Sequence, residues 1–284
     1  MRIALRIEVS TERGAREGVP ALLRLLDEHQ VKASFCVSLG PDYSGYPLGN
    51  HLPEGIRRKL PARYIGRRYR DHLKSIATAG HDVGIASYSA AGWQRDSAYQ
   101  SPEWVHSEVI HAVDAFTDLY GKPPHFHGAL GWQVNANLFA EEESLRFNFS
   151  SDVRGRHAFL PEMQGVRSSC PQIPTTLPTL DELLLQSEVS EENVHQFLYA
   201  ACQRVLPNGE VFTLTAEREG RDLLGVLEKL LVMWKGGQWE VRPLTELLQQ
   251  IDLSSLSHHV VGWASADANN RYMATQSTRL EQLK

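Results

Sequence analysis

The chain has 284 residues, 42% of them hydrophobic and 22% charged, which is enough apolar material for a sizeable core and excludes wholesale disorder. Its formal net charge of −5 argues against a general nucleic-acid binder. The 3 cysteines are widely spaced with no CxxC motif, which excludes a disulfide framework and a cysteine-built zinc site and fits a reducing compartment.

Strand and helix patterns alternate along the chain. Apolar periodicity, caps and turn residues predict, in chain order, a strand at 3–9, a helix at 16–29, a strand at 32–39, a helix at 70–78, a strand at 81–86, a helix at 102–120, a strand at 125–130, a helix at 135–144, strands at 146–151 and 172–176, a helix at 190–205, a strand at 210–216, a helix at 221–234, a strand at 238–242 and a helix at 244–251. This alternation predicts a single-domain α/β fold built on a parallel (β/α) barrel.

The predicted barrel covers residues 1–253, and the polar residues 254–284 are expected to form a loose C-terminal tail. No secretory leader is evident at the N-terminus, and no apolar run approaches the ~18 residues of a membrane-spanning helix. We therefore expect a cytoplasmic protein.

Barrels of this type build their sites from residues at the C-terminal ends of their strands. We expect a ligand to be contacted by side chains at or near these ends, namely Arg13, Tyr88, His127, Trp132, Asp152, Arg154 and Glu217. In this set Arg154 is suited to grip a phosphate or carboxylate, or else to pair with Asp152 or Glu217, and the aromatic rings are suited to stack on a sugar.

Several stretches resemble the polysaccharide deacetylase (NodB-like) superfamily, in particular the deformylases that process undecaprenyl-phosphate-linked 4-deoxy-4-formamido-arabinose for lipid A modification. The matching runs are LRIEVSTERGAREGVPALLRLL (5–26), SLGPD (38–42), HDVGI (81–85) with GWQ (92–94), GALGWQ (128–133), SSDVRG (150–155), QIPTTLPTLDE (172–182) and FTLTAEREG (212–220). They occur in family order over most of the chain. The resemblance implies a distorted (β/α) barrel of the deacetylase type and metal-dependent hydrolysis of an amide bond.

The resemblance also implies which positions carry that chemistry: a base and a metal-binding Asp after the first strand, two His metal ligands four residues apart, and a late-strand His acid. The base position is Glu8, and the acid position is Thr215. The metal-ligand positions are Ser10, Ala86 and Ala90, of which the two alanines offer no donor atom. An arginine that supports the base in the family is replaced by Gln133.

These replacements predict a catalytically inactive relative that binds no metal and no other cofactor. We expect it to bind a lipid-phosphate-linked sugar or another carbohydrate, or to modulate an active homologue. One alternative is an active hydrolase of C–N amide bonds that uses Glu8 or a relocated metal, held by His125 and His127 with Glu8, Asp152 or Glu217. A third hypothesis is a plain sugar-binding module.

A basic segment between residues 57 and 70 carries arginines and a lysine interleaved with tyrosines and aliphatic side chains, and it contains no acidic residue. This pattern is typical of contact with a membrane interface or a lipid phosphate, although a solvated surface segment has the same composition. We expect contact with the inner-membrane surface through Arg57, Arg58, Arg67 and Arg68, and no nucleic-acid partner.

Overall fold

The computed structural model describes residues 1–44, 54–57, 59–61, 63–204, 206–265 and 272–280. The strands are β1 (Arg2–Val9), β2 (Ser34–Val37), β3 (Pro41–Asp42), β4 (Arg63–Tyr64), β5 (Asp82–Ile85), β6 (Phe126–His127), β7 (Phe149–Ser150), β8 (Leu160–Met163), β9 (Val166–Arg167), β10 (Glu210–Thr215), β11 (Glu240–Arg242), β12 (His258–Ser265) and β13 (Tyr272–Arg279). The helices are α1 (Val19–Glu28), α2 (Glu54–Arg57), α3 (Ile65–Arg68), α4 (Arg70–Thr78), α5 (Ala90–Asp96), α6 (Pro102–Tyr120), α7 (Ala136–Ser144), α8 (Leu180–Leu184), α9 (Val194–Ala201), α10 (Leu224–Gly236) and α11 (Leu244–Leu248).

The main sheet is parallel and curls into a distorted barrel. Its strand order is β10-β1-β2-β5-β6-β7, with β11 pairing alongside the start of β1. The irregular segment 172–177 bridges the two ends: Ile173 N–H donates to the Ser150 carbonyl on one side, and Thr176 N–H donates to the Val211 carbonyl on the other. The predicted single-domain α/β barrel is confirmed.

The strands of this sheet are buried on both faces, which is usual for a parallel sheet covered by helices. Ile3, Leu5 and Ile7 of β1 pack in the cluster under the helices, whereas Ala4 joins a cluster inside the barrel. Arg6 and Glu8 share the inner face with Ala4, because alternate residues of a strand point the same way. Two charged side chains therefore lie inside an otherwise apolar strand.

The helix α6 shows how far local sequence sets an element. Its N-cap Ser101 accepts a hydrogen bond from the Trp104 N–H at 3.3 Å, Pro102 occupies the first turn, and the helix ends at Gly121, whose φ of 73° suits glycine. The bounds of α6 and α4 are those that the sequence predicted. Both ends of α6 are marked by local residues, so tertiary packing was not needed to place that helix.

The expectation of a loose tail is wrong for residues 258–265 and 272–279. These residues form β12 and β13, which pair with each other, while β12 also pairs in parallel with β8. Arg154 N–H donates to the Ala274 carbonyl at 2.9 Å, which attaches β13 to the barrel. Val261 and Ala274 are buried, so the polar composition concealed one apolar face. The predicted boundary after residue 253 stays a prediction. Among the described residues, no helix is long and apolar enough to cross a membrane.

Candidate ligand site at the barrel mouth

The strand register brings the positions implied by the resemblance to one end of the barrel. Glu8 lies beside Cys36 of β2 and Thr215 of β10. Ser10 follows Glu8 by two residues, and Ala86 follows β5, so both lie one step further toward the mouth. The structure therefore gathers these residues, and what their side chains contact decides their chemistry.

Glu8 is held by a buried arginine. Arg6 Nη1 donates to Glu8 Oε1 at 2.5 Å, and Arg6 Nη2 donates to the Ala129 carbonyl at 2.7 Å. Burial lowers the pKa of Arg6, but the nearby acidic groups, with Glu8 foremost, more than reverse this, so the pKa of Arg6 lies above its usual value. A Cβ at Gly128 would lie 2.4 Å from Cys36 Sγ and 3.1 Å from Arg6 Nη2, so glycine is needed for this approach.

The sequence analysis missed Arg6, although a charged residue inside an apolar strand, two positions before Glu8, was a usable signal. Gln133, which stands where the family has an arginine that supports the base, makes a different contact here. Gln133 Nε2 donates to the Tyr272 carbonyl at 2.7 Å and so ties the mouth loop to β13.

The residues at the metal-ligand positions do not fit a divalent cation. Ala86 is fully buried in an apolar cluster with Cys36 and Trp93, and Ala90 packs against the same cluster. Ser10 alone offers one neutral hydroxyl, which is a poor donor set without carboxylate or imidazole companions. No step of a reaction can be assigned to a metal held by these three positions.

The position of the lost acid, Thr215, contacts a carboxyl that the sequence analysis did not single out. The Thr215 backbone N–H donates to Glu219 Oε2 at 2.7 Å. Burial raises the pKa of Glu219 to about 7, against the opposing effect of these hydrogen bonds. Nothing in the local sequence distinguishes Glu219 from the partly exposed Glu217, because only the turn after β10 buries one and not the other.

The open space at the mouth is lined by charged side chains. A cavity of about 170 Å³ is bounded by Glu12, Arg13, Arg16, Ser44, Arg63 and Glu217. Two of the expected ligand contacts, Arg13 and Glu217, therefore line the same cavity. Tyr88 lies apart from them, in a cavity of about 230 Å³ that Tyr64 and His111 also line.

Glu12 fastens the basic segment to this mouth. Arg63 Nη1 donates to Glu12 Oε2 at 2.6 Å, the Tyr69 hydroxyl donates to Glu12 Oε1, and Arg68 Nε lies 3.8 Å from that oxygen. Burial raises the pKa of Glu12, but the hydrogen bonds and the nearby arginines bring it below its usual value.

The predicted surface contact is described only in part. Arg67 and Arg68 are exposed, in agreement with a surface role. Arg58 and the side chain of Arg57 lie outside the described residues.

The expectation that His127 and Asp152 contact a ligand is wrong, because both are fully buried. His127 Nδ1 lies 2.7 Å from Asp152 Oδ1 and 3.1 Å from Glu142 Oε1. Burial lowers the pKa of His127, but the adjacent carboxylates more than reverse this and raise it to about 9. Glu142 is the member that sequence analysis missed; it lies on the apolar face of α7, four residues after Leu138 and three after Phe139.

The ligand atoms of His127, Glu142 and Asp152 lie within 4.8 Å of one another, the one such group of three among the described residues. Burial, and then the Asp152 charge, raise the pKa of Glu142, whereas the His127 charge lowers that of Asp152 despite burial. The His127 ring thus lies between two buried carboxyl groups whose pKa values are shifted in opposite directions. Of the relocated metal set expected from the sequence, His127 and Asp152 come together and Glu142 joins them, whereas Glu8 pairs with Arg6 and Glu217 lines the mouth.

The expectation that Trp132 stacks on a sugar is also wrong, because the residue is only 5% exposed and its ring face is covered by the Arg154 guanidinium. Its Nε1 donates to Thr175 Oγ1 at 3.1 Å, and the Arg154 guanidinium lies 4.5 Å from the ring centroid. Arg154 pairs with Glu182 at 3.2 Å, not with Asp152 or Glu217. Sequence distance concealed this partner, since Glu182 lies on α8.

Comparison with known proteins agrees with the sequence motifs. No protein-family model matches the chain. It is 29% identical over 273 residues to a probable 4-deoxy-4-formamido-L-arabinose-phosphoundecaprenol deformylase ArnD of Shewanella sediminis, covering 89% of this chain and 87% of the relative.

Solved structures agree in fold. A Mycobacterium smegmatis protein assigned to the polysaccharide deacetylases superposes with a TM-score of 0.64 at 15% identity, covering 90% and 92% of the two chains. A CE4 family pseudoenzyme from Bacillus anthracis gives a TM-score of 0.58 at 15% identity, covering 91% of this chain and 69% of the other. These likenesses show the polysaccharide deacetylase fold alone.

The predicted resemblance is thus confirmed at two levels. In fold the chain is like the polysaccharide deacetylases. In sequence it is like the ArnD deformylases.

Proposed function

We propose that this protein binds a lipid-phosphate-linked sugar in the barrel mouth, or modulates an active relative, without hydrolysing an amide bond. The likeness to ArnD deformylases supports the ligand class and a role in aminoarabinose-type lipid A modification. The proposed absence of hydrolysis rests on the residues at the metal-ligand positions. Ala86 and Ala90 present only methyl groups, packed among apolar side chains, and Ser10 presents one hydroxyl.

The size of the missing chemistry supports the same conclusion. A bound metal ion stabilises the transition state by several kcal/mol, and general acid–base groups contribute about 10²–10⁴-fold in rate. Glu8 is hydrogen-bonded to Arg6 at 2.5 Å, and Thr215 cannot exchange a proton near neutral pH. These residues therefore supply neither the cation nor the acid.

The test is metal content and turnover of the purified protein. We expect far less than one equivalent of transition metal per chain by mass spectrometry, and no release of formate or acetate from formamido- or acetamido-sugars with added zinc or cobalt. The substitutions Ser10→Asp, Ala86→His, Ala90→His and Thr215→His, made together, are expected to create metal binding. A stoichiometric metal ion or steady turnover in the wild-type protein would overturn the proposal.

The alternative is an active hydrolase of C–N amide bonds, and one observation favours it: Glu219, with a pKa near 7, lies against the position of the lost acid. The turnover measurement separates the two hypotheses directly. If Glu219→Gln abolished a measurable wild-type activity while Glu228→Gln, on the exposed face of α10, left it unchanged, the alternative would replace the binding role.

Contact with a membrane surface through the basic segment is part of the proposal. The exposed Arg67 and Arg68 support it, since arginines beside tyrosines attract anionic headgroups. The variant Arg67→Ala/Arg68→Ala is expected to bind less to vesicles containing anionic lipid, with the difference vanishing at high salt. Unaltered binding of this variant would remove the membrane role.

A further inference from the structure

A second cavity lies away from the barrel mouth, between β13 and the segment that bridges β7 to β10. Its volume is about 480 Å³, within the usual range for small-molecule sites. It is lined by Arg154, Gly155, Arg156, His157, Thr175, Thr176, Arg204, His259, Thr275, Gln276 and Ser277, and we call it the arginine cleft. It shares no lining residue with the mouth cavity, whereas Arg204 also borders a cavity beside Arg2 and Glu210, where β1 and β10 begin.

The charge of the arginine cleft is one-sided. Three arginines line it, and no aspartate or glutamate does. Arg154 and Arg204 have acidic neighbours outside the cleft, Glu182 at 3.2 Å and Glu210 at 3.7 Å. For Arg156, which is exposed, no acidic side chain among the described residues lies within ion-pair distance. The cleft therefore keeps a surplus of positive charge.

The remaining lining groups are hydrogen-bonding groups in fixed positions. Gln276 Oε1 accepts from the Arg156 backbone N–H at 2.9 Å, and Gln276 Nε2 lies 3.3 Å from a ring nitrogen of His157. The rings of His157 and His259 meet edge to face at 5.1 Å. Hydroxyls of Thr176, Thr275 and Ser277 complete the walls, and no aliphatic or carbocyclic aromatic side chain lines them.

We propose that the arginine cleft binds the phosphate group of a small hydroxylated molecule, such as a sugar phosphate. Guanidinium groups recognise phosphate by paired, charge-assisted hydrogen bonds. The volume exceeds that of a bare phosphate, and the polar walls suit a hydroxylated remainder better than a lipid tail. The site does not depend on the proposed function at the mouth, because it uses none of the same residues.

The experiment titrates the full-length protein with inorganic phosphate and with glucose 1-phosphate by calorimetry at low salt. We expect saturable binding by the wild-type protein, weakened about tenfold in Arg156→Gln, which removes one charge-assisted contact. Arg156→Lys is expected to recover part of the affinity, because it restores charge without the planar fork. Arg24→Gln, an exposed arginine of α1, is the matched control and should bind as the wild-type protein does.

A second arm replaces the soluble phosphate with vesicles containing phosphatidic acid. Weakening by Arg156→Gln in this arm too would extend the site to lipid headgroups, and weakening with soluble phosphate alone would restrict it to soluble ligands. Absence of binding to both soluble phosphates by the wild-type protein, or equal weakening by Arg24→Gln and Arg156→Gln, would overturn the proposal. Neither arm measures metal content or turnover. The outcome for the arginine cleft can therefore be interpreted even if the function proposed for the mouth is wrong.

Discussion

At the scale of single residues, the interior of this barrel contains fully buried titratable side chains. Arg6 is fully buried, and Glu8 and the Ala129 carbonyl stabilise it there by accepting hydrogen bonds from its guanidinium group. A cation that lost its partner in such a place would cost several kcal/mol. The cluster of His127, Asp152 and Glu142 follows the same rule, with His127 supplying the positive charge.

This cluster predicts a pH dependence of stability. The pKa of His127 is raised from 6.5 to about 9 in the folded protein, so its contribution is complete below pH 6.5 and is lost as the pH rises through 9. At about 1.4 kcal/mol per pKa unit, this amounts to about 3 kcal/mol. His127→Gln should therefore lower the free energy of unfolding at pH 6 and flatten its decline toward pH 9.5, as measured by urea denaturation.

His258→Gln, on a half-buried histidine of β12 outside the cluster, is the control and should leave the pH profile unchanged. Equal slopes for the wild-type protein and His127→Gln between pH 6.5 and 9 would show that the histidine is neutral in the folded state.

At the scale of elements, the segment from β4 to α3 is attached to the barrel by Glu12, by pairing of β4 with β3, and by backbone hydrogen bonds from Ile65 and Gly66 to Gly40 and Leu39. Its helix α3 is a single turn, too short to be stable alone. The contacts of Arg63, Tyr69 and Arg68 with Glu12 attach it to the end of β1, and Ile65 adds one fully buried apolar side chain. A segment built this way opens locally more readily than the barrel strands do.

We predict that Glu12→Gln loosens this segment without unfolding the barrel. Loss of the ionised acceptor removes about 1–2 kcal/mol of local stability after allowance for the half-exposed arginines. Trypsin cleavage after Arg63, Arg67 or Arg68 should become roughly tenfold faster. In contrast, Glu17→Gln breaks only surface ion pairs with Arg16 and Arg221 and should cleave at the wild-type rate. Identical cleavage rates for all three proteins would show that Glu12 does not hold the segment.

At the scale of the whole molecule, the C-terminal strands belong to a second sheet that packs against the barrel. β12 extends β8, and β13 bonds to the backbone around Arg154, so the chain end covers the side where the parallel sheet is irregular. Val261, Met273 and Ala274 place apolar surface against the barrel. Gln133 adds a link from the mouth loop to the Tyr272 carbonyl.

Removal of residues 258–284 is therefore expected to destabilise the whole protein, with loss of near-ultraviolet circular dichroism or a fall in the melting temperature of more than about 10 °C. Met273→Ala, expected to cost about 2–5 kcal/mol, tests the same contact without truncation. Removal of residues 281–284 alone should change little. A stable, cooperatively folding protein after removal of 258–284, together with an unaffected Met273→Ala, would restore the picture of a loose tail.

The sequence by itself determined the barrel, and it showed which residues stand at the positions that the resemblance implies as metal ligands. Helix caps, strand periodicity and ordered motifs act over a few residues, so α6 and β10 could be placed, and the substitutions at Ser10, Ala86 and Ala90 are visible in the letters alone. Only the tertiary structure decided which polar groups meet, because partners such as Arg154 and Glu182, or His127 and Glu142, lie far apart in the chain. Burial depends on the assembled fold in the same way. For this reason the sequence did not show that His127 is buried or that the polar C-terminal residues form two strands.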